Sequence, residues 1–235
     1  MLPTLSYLQR RGQLEHYFDR TAADAWQRLT SDAPVSGIRA TVRAGRADMR
    51  RTLMSWLPAD LSGRRLLDAG CGTGTLAVEA AARGAHVVAI DLSPTLVKLA
   101  RERYERCRHD RGSIDFRVGD FLDPALGEFD HVVAMDSLIH YPTEDVVRTV
   151  SVLADRTRTS LLFTFAPRTA LLTLMHAVGR AFPRSDRAPM IEPVAEDVLQ
   201  QRLRAQRELA AWKPARTHRI ARGFYISQAL ELARP

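Results

Sequence analysis

Hydrophobic side chains return at helical spacing through the early part of the chain. Between residues 13 and 29 they recur every three or four positions, which predicts an amphipathic helix with one solvated face. A second stretch of the same kind runs from Ile38 to Leu57, and Pro58 is expected to end it. We expect residues 1–62 to form an N-terminal helical cover.

After Arg64 the pattern changes to short apolar runs that alternate with helical segments. Five runs are predicted as buried strands, at residues 64–69, 86–91, 114–120, 129–137 and 159–166. Three helices are predicted between them, at residues 75–83, from Pro94 to about Cys107 with Ser93 as N-cap, and from a Thr143 cap to about Asp155. This alternation predicts an α/β protein with a parallel sheet covered by helices on both faces.

The C-terminal segment departs from this alternation. Residues 194–212 are predicted as a helix, and two strands are predicted after them, joined by a turn near Gly223. Strands joined by so short a turn run antiparallel, so we expect an antiparallel extension of the sheet.

Composition places the chain among ordinary globular proteins, because 46% of its 235 residues are hydrophobic and 26% are charged. No apolar run approaches the ~18 residues of a membrane-spanning helix, and we identify no signal peptide. Two cysteines do not make a disulfide framework, so a reducing cytoplasm is the expected location.

The net charge of +7 is unevenly distributed along the chain. Residues 1–150 hold 20 basic and 20 acidic side chains, whereas residues 151–235 hold 14 basic and 7 acidic ones. A basic C-terminal part suits a nucleic acid, an anionic membrane surface or a small acidic substrate. An arginine-rich composition without a partner explains it equally well.

The stretch LLDAGCGTGTL, residues 66–76, joins a predicted strand to a predicted helix through glycines. Such a turn seats a ligand against bare backbone at the carboxyl edge of a parallel sheet. A dinucleotide fingerprint would need glycine at position 75, where the chain has Thr75. The pattern present is Asp-x-Gly-x-Gly-x-Gly, and Cys71 within it is interpreted as a small filler rather than a nucleophile.

This pattern resembles motif I of the class I S-adenosylmethionine-dependent methyltransferases. The resemblance implies a Rossmann-like seven-stranded methyltransferase sheet with a parallel core and antiparallel C-terminal strands, spanning residues 63–235. It also implies that Asp68 orders the glycine loop, that Asp91 binds the ribose hydroxyls and that Asp120 binds the adenine amino group. The residues expected to bind the cofactor S-adenosyl-L-methionine are Asp68, Gly70, Cys71, Gly72, Asp91, Leu92, Asp120, Phe121, Met135 and Asp136.

Three flanking segments carry a more specific resemblance over essentially the whole chain. They are HYFDRTAADAWQRL (16–29), SLIHYPTED (137–145) and FTFAPRTALLTLMHAVGRAFPRSDRAP (163–189), and VRAGR (42–46) accompanies them. The third segment belongs to an insertion after the fifth strand, expected at about 168–193. Together they resemble the magnesium-protoporphyrin IX O-methyltransferase family of bacteriochlorophyll and chlorophyll synthesis. The resemblance implies methyl transfer to one propionate carboxylate of magnesium protoporphyrin IX, and the large porphyrin-binding subunit of magnesium chelatase as a partner.

The insertion is expected to form a lid over an apolar, acidic macrocycle. Its candidate substrate-binding residues are Arg168, Met175, Arg180 and Arg184. An ordinary amphipathic helix with a solvated basic face remains the alternative. The magnesium of the resembled family arrives inside the substrate, so we assign no metal site to the protein.

A propionate has a pKa of about 4.5, close to that of a glutamate, so it is ionised at neutral pH and needs no strong base. The site must instead align and dehydrate it. His140 and Tyr17 are the candidate catalytic residues that would donate hydrogen bonds to the reacting carboxylate. A surface-loop histidine and a core aromatic with an exposed tip are the plainer interpretations of these two residues.

Three other functions remain open. One is methylation of another small molecule such as a quinone phenol, for which a base would be essential. A second is a basic nucleic-acid-binding protein, although MDSLIHYP after the fourth strand does not fit the Asn- or Asp-Pro-Pro-aromatic box of amino-methylating enzymes. A third is a non-catalytic cofactor-binding scaffold. Peripheral attachment to the photosynthetic membrane through the basic C-terminal part is also an expectation.

Overall fold

The computed structural model describes residues 3–21, 37–106, 111–168 and 190–234. Within these ranges seven strands form one sheet in the order β3-β2-β1-β4-β5-β7-β6. In chain order the strands are β1 Arg65–Ala69, β2 His86–Asp91, β3 Ser113–Val118, β4 Phe129–Ala134, β5 Thr157–Phe165, β6 Lys213–Arg222 and β7 Tyr225–Ala233. The first five strands are parallel to one another, while β7 is antiparallel to both β5 and β6. The predicted parallel core with an antiparallel C-terminal extension is therefore confirmed.

Helices flank the sheet as the alternating pattern predicts. The α-helices of the described residues are α1 Leu5–His16, α2 Gly37–Trp56, α3 Thr75–Ala82, α4 Pro94–Arg106, α5 Thr143–Asp155 and α6 Glu196–Arg204. A short π-helix, Tyr17–Thr21, continues α1. None of these helices combines the length and the hydrophobicity needed to cross a membrane.

The first helix begins eight residues earlier than the predicted start at residue 13. Thr4 caps it, because its Oγ1 accepts a hydrogen bond from the backbone N–H of Tyr7 at 3.1 Å. Tyr7 is 2% exposed and packs in the core, a tertiary contact that helical periodicity alone does not reveal. The remainder of the predicted helix, residues 22–29, lies outside the described residues.

Three other boundaries differ from their predictions. Thr143 is the first residue of α5 rather than its cap, and Pro142 precedes it without a side-chain hydrogen bond. The predicted helix 194–212 ends at Arg204, and a single 3₁₀ turn, Arg207–Leu209, follows. The fourth strand is predicted to reach residue 137 but ends at Ala134, and Asp136 just beyond it has a positive φ of 56°.

Alternating strand residues face two separate cores, as a pleated sheet requires. Leu67, Val88 and Val132 pack on one face beneath α1, α5 and α6. Leu66, Val87 and Val133 pack on the opposite face beneath α2, α3 and α4. The carboxyl ends of β1 to β4 are therefore held between two helical layers, and the candidate site residues follow these ends.

Candidate active site

The glycine loop follows β1 and ends where α3 begins. Gly70, Gly72 and Gly74 all have positive φ, of 82°, 54° and 76°. A side chain would also collide with its surroundings, because a Cβ on Gly70 would lie 2.5 Å from Cβ of Ser137. Both requirements select glycine, so the loop presents backbone at the sheet edge.

Asp68 lies at the base of this loop and is 2% exposed. Its Oδ2 atom has no hydrogen-bond partner among the described residues, whereas the backbone N–H of Ala77 contacts the carboxylate. Burial, with a smaller contribution from the charge of Asp91, raises the pKa of Asp68 to about 7. A buried carboxylate oxygen without a donor is suited to a cationic ligand group.

Asp91 ends β2 and is held by two backbone donors. Its Oδ2 accepts from Gly72 N at 2.8 Å, and its Oδ1 accepts from Ser93 N at 3.0 Å. Burial raises the pKa of its carboxyl group. Leu92 follows it and packs against the core. The carboxylate thus connects the glycine loop to the start of α4 in a fixed orientation.

Asp120 follows β3 and contacts the first helix. Its Oδ1 accepts from the Tyr7 hydroxyl at 2.8 Å and from Leu122 N at 2.9 Å, and its Oδ2 forms an ion pair with Arg11 at 3.0 Å. Phe121 beside it is 4% exposed. Three donors leave a carboxylate room for one further hydrogen bond.

Cys71 is partly buried within the loop, and its N–H donates to Ile90 O at 3.0 Å. Burial, together with the charges of Asp91 and Asp68, raises the pKa of the thiol well above its ordinary value. A thiol that resists ionisation is a poor nucleophile. The position therefore suits a small filler, as the sequence predicts.

The structure brings the three flanking segments together beside the loop after β4. The rings of Phe18 and His140 have centroids 6.0 Å apart. His140 Nδ1 donates to the carbonyl of Met190 at 3.3 Å, and Glu192 N donates to Ile139 O at 2.8 Å. The N-terminal segment, the loop after β4 and the end of the insertion thus meet at His140.

His140 is 8% exposed, so the alternative of a surface-loop histidine is wrong. Tyr17 is partly buried one residue before Phe18, and burial raises the pKa of its hydroxyl. The rings of Tyr17 and Phe18 meet edge to face, with their centroids 5.2 Å apart. Phe18 contacts both candidate residues and so places them in one cluster.

Asp19 fixes the N-terminal segment to the cofactor edge of the sheet. Its Oδ1 accepts from the Ser93 hydroxyl and from Thr95 N, both at 3.2 Å. Ser93 itself caps α4, because its Oγ accepts from Leu96 N at 3.2 Å. The predicted cap at Ser93 is confirmed, and Asp19 adds a second acceptor from a distant part of the chain.

Asp136 has a different environment from the one predicted for a cofactor contact. Both oxygens of its side chain accept hydrogen bonds from the protein, from Arg46, Tyr225 and Ser227. Met135 packs against the hydrophobic cluster that also contains Tyr225. A backbone contact to the cofactor at these two residues stays a prediction.

The insertion is described only at its two ends. Arg168 is exposed, and its N–H donates to Val194 O at 2.9 Å, while Val194 N donates to Ala166 O at 3.0 Å. This short parallel bridge closes the base of the insertion. Met175, Arg180 and Arg184 lie outside the described residues.

Four further residues of the site have no assigned role in the sequence analysis: Tyr7, Arg11, Arg46 and Tyr225. The motif VRAGR contains a signal for Arg46, since an arginine beside a glycine on an amphipathic helix marks a close helix contact. Nothing in the local pattern marks Tyr7 or Tyr225, because their partners are more than 80 residues away. No group of three or more His, Cys, Asp or Glu side chains with metal-ligand geometry occurs in the described ranges.

Two family models match the chain. The model described as the magnesium-protoporphyrin IX methyltransferase C-terminus matches residues 134–234, and a methyltransferase domain matches residues 66–159. The first match begins at the end of β4 and therefore covers the loop with His140, the insertion and the antiparallel strands.

Similar proteins cover nearly the whole chain. The magnesium-protoporphyrin O-methyltransferase of Rhodobacter capsulatus is 50% identical over 96% of this chain and 97% of its own length. The enzyme of the same name from Synechocystis is 31% identical over 93% of this chain and 94% of its own length. A crystal structure of magnesium protoporphyrin IX methyltransferase from Synechocystis with bound SAH superposes with a TM-score of 0.84 at 29% identity. It covers 96% of this chain and all of that chain.

Proposed function

The chain belongs to the magnesium-protoporphyrin O-methyltransferase family, and from this premise we propose that it methylates one propionate carboxylate of magnesium protoporphyrin IX with S-adenosyl-L-methionine. The product is the monomethyl ester of (bacterio)chlorophyll biosynthesis. The observation that carries this proposal is the meeting of three segments at His140, in the loop whose Ser137 lies against Gly70 of the glycine loop.

The residues of the glycine loop fit the proposed cofactor. The unpartnered, buried Oδ2 of Asp68 suits the ammonium group of S-adenosylmethionine. The oriented carboxylate of Asp91 suits a pair of ribose hydroxyls, and Asp120 has room for one adenine donor. When bound, the cofactor supplies an electrophilic methyl group on a sulfonium centre.

The acceptor chemistry determines what the protein must provide. A propionate is already an anion at neutral pH, so the site has to remove its water and hold it in one orientation. His140 suits this task because it is 8% exposed and its Nδ1 is held by the carbonyl of Met190. This contact assigns the Nδ1 proton, so Nε2 accepts a proton in the neutral ring and donates to an anion in the imidazolium form.

Tyr17 is proposed as the second donor to the reacting carboxylate. Burial raises the pKa of its hydroxyl, which keeps the group protonated and able to donate. A neutral hydroxyl positions an anion without the strong solvation that a guanidinium would give it. We therefore assign the cations of the insertion, including Arg168, to the propionate that does not react.

The proposal is tested with a panel of acceptors in a steady-state assay of S-adenosylhomocysteine release. Magnesium protoporphyrin is expected to support turnover, whereas its dimethyl ester, which has no free carboxylate, is expected to support none. A catechol-type quinone precursor is the third acceptor. Turnover on the catechol without turnover on the porphyrin would replace the proposal by phenol methylation.

Two partners complete the proposal. The family resemblance supports binding to the porphyrin-carrying large subunit of magnesium chelatase, and the basic surplus of residues 151–235 supports peripheral attachment to an anionic membrane. Co-sedimentation with anionic vesicles, with neutral vesicles as the control, tests the second. Salt-resistant recovery with the purified chelatase subunit tests the first.

A further inference from the structure

Asp136 has a backbone conformation that is rare for its residue type. Its φ is 56°, and it is the one non-glycine residue with positive φ in the described part of the chain. It lies two residues beyond the end of β4, where the chain leaves the sheet. An aspartate tolerates the left-handed region better than most residues, but surrounding contacts must still hold it there.

A set of hydrogen bonds from three elements holds this residue. Arg46 on α2 forms an ion pair with Oδ2 at 2.5 Å, and the Tyr225 hydroxyl at the start of β7 lies 3.0 Å from Oδ1. Ser227 donates to the same oxygen at 3.2 Å. Thr164 on β5 closes the set, since its Oγ1 accepts from Asp136 N at 2.7 Å and donates to Oδ1 at 3.2 Å.

The ion pair is well shielded from solvent. The side chain of Asp136 is 5% exposed and that of Arg46 is 20% exposed. Removing one partner from such a pair leaves an uncompensated charge that cannot easily be hydrated. The contact is therefore sensitive to the identity of residue 46, more so than the Arg50–Glu79 pair on the same helix, whose acidic side chain is 39% exposed.

Two glycines allow α2 to approach the C-terminal hairpin at this point. A Cβ on Gly45 would lie 2.4 Å from Cδ1 of Tyr225, and one on Gly223 would lie 2.9 Å from Thr41. The approach brings Arg46 and the Tyr225 hydroxyl to the same carboxylate. This explains why glycine and arginine are adjacent in VRAGR.

The turn at Asp136 determines the position of both halves of the candidate site. Ser137 follows it and lies against Gly70 of the glycine loop. A Cβ atom added to Gly70 would lie 2.5 Å from the Cβ of Ser137. His140 comes three residues later in the same loop. A change in the turn would therefore move the cofactor seat and the acceptor residue relative to each other.

We propose that Arg46 and Tyr225 are positioning residues of the methyl transfer, which act by holding Asp136 in its left-handed turn. The inference rests on the proposed function for its activity readout. It joins the N-terminal cover and the antiparallel strands to the reaction, although neither carries a cofactor-binding residue in this account. If the turn is disturbed, we expect the reacting groups to lose their alignment, which lowers kcat, while the affinity for the cofactor is retained.

The experiment compares Arg46→Met with Arg50→Met. Arg50 lies one turn further along α2 and forms a partly exposed pair with Glu79 at 2.6 Å, away from Asp136, so it is a control on the same helix. Arg46→Met is expected to lower kcat at least about tenfold, with the Kd for S-adenosylhomocysteine changed by less than about threefold. Arg46→Lys is expected to restore part of kcat, and Arg50→Met to behave as the wild type.

A second variant and a second readout keep the test decisive. Tyr225→Phe keeps the ring beside Gly45 but removes the hydroxyl, and it is also expected to lower kcat. It provides the test if Arg46→Met does not fold. In the cofactor-free protein, the imidazole NMR signals of His140 are expected to shift in Arg46→Met and Tyr225→Phe but not in Arg50→Met. The His140→Ala variant assigns these signals.

The possible outcomes separate the two proposals. Wild-type kcat and unchanged His140 signals in both folded variants would overturn the positioning role, as would equal losses of kcat and cofactor affinity in Arg50→Met. Absence of turnover on the porphyrin in the wild type would overturn the proposed function instead. The NMR comparison would then still decide whether Arg46 and Tyr225 hold the loop.

Discussion

Replacing Asp68 by asparagine should stabilise the cofactor-free protein at high pH and weaken cofactor binding. Asp68 is 2% exposed, and burial raises its pKa from the ordinary 3.8 to about 7. Between these two pKa values, Asp68 is therefore still protonated in the folded state but already ionised in the unfolded chain. Stability falls as the pH rises through this window and is not reduced further above it.

The size of the effect follows from the two pKa values. The raised pKa lowers the free energy of unfolding by about 2 kcal/mol at pH 5 and by about 4–5 kcal/mol at pH 8, so the change between the two conditions is about 2–3 kcal/mol. Asparagine does not titrate, so its buried amide changes the free energy of unfolding by the same amount at pH 5 and at pH 8. Other titrating groups cancel between the two proteins.

Urea unfolding of the wild type and Asp68→Asn at pH 5 and pH 8 measures this directly. We expect the free energy of unfolding of the variant, relative to the wild type, to rise by about 2–3 kcal/mol between pH 5 and pH 8. We also expect its affinity for S-adenosylhomocysteine at pH 8 to fall at least about tenfold, because a charged partner of the ammonium is lost. A relative stability that does not change with pH would refute the description of Asp68 as a buried, poorly partnered carboxylate.

Three further predictions test the rest of the site. His140→Ala and Tyr17→Phe should lower kcat with little change in the Kd for S-adenosylhomocysteine, and wild-type turnover in both would remove their proposed roles. Asp19→Ala should cost about 1 kcal/mol of unfolding free energy and raise the KM for the cofactor, because it removes Oδ1, which accepts two hydrogen bonds at the start of α4. Asp19→Asn keeps an oxygen at this position and should retain most of the stability and of the cofactor affinity. Gly45→Ala should destabilise the protein by about 1–3 kcal/mol, because the added methyl group would clash with the Tyr225 ring. Gly12→Ala is the control, since its methyl group would meet open space on α1, and it should be neutral or stabilising. Thermal unfolding of both variants measures the difference.

The parts of the fold that sequence reasoning predicts correctly depend on local patterns. Apolar runs of strand length and a glycine turn with the spacing of Gly70, Gly72 and Gly74 are visible in the chain itself, and the strand ends then converge by the geometry of a parallel sheet. The meeting of the flanking segments at His140 extends the same reasoning.

The parts that it misses depend on partners far along the chain. The start of α1 is decided by Tyr7, whose hydroxyl bonds to Asp120 across 113 positions. The predicted fourth strand extends beyond the observed end at Ala134, where Asp136 is bonded by Arg46 and Tyr225, 90 and 89 positions away along the chain. Such contacts override local propensity and are invisible to periodicity.

The central claim is that an anionic carboxylate of a large apolar macrocycle is the methyl acceptor. The most direct measurement is mass spectrometry of magnesium protoporphyrin recovered after one turnover with excess protein and S-adenosylmethionine. We predict a porphyrin that has gained one methyl group, with fragmentation assigning it to a propionate ester. A porphyrin recovered with both propionates unmodified, while S-adenosylhomocysteine binds normally, would contradict the account.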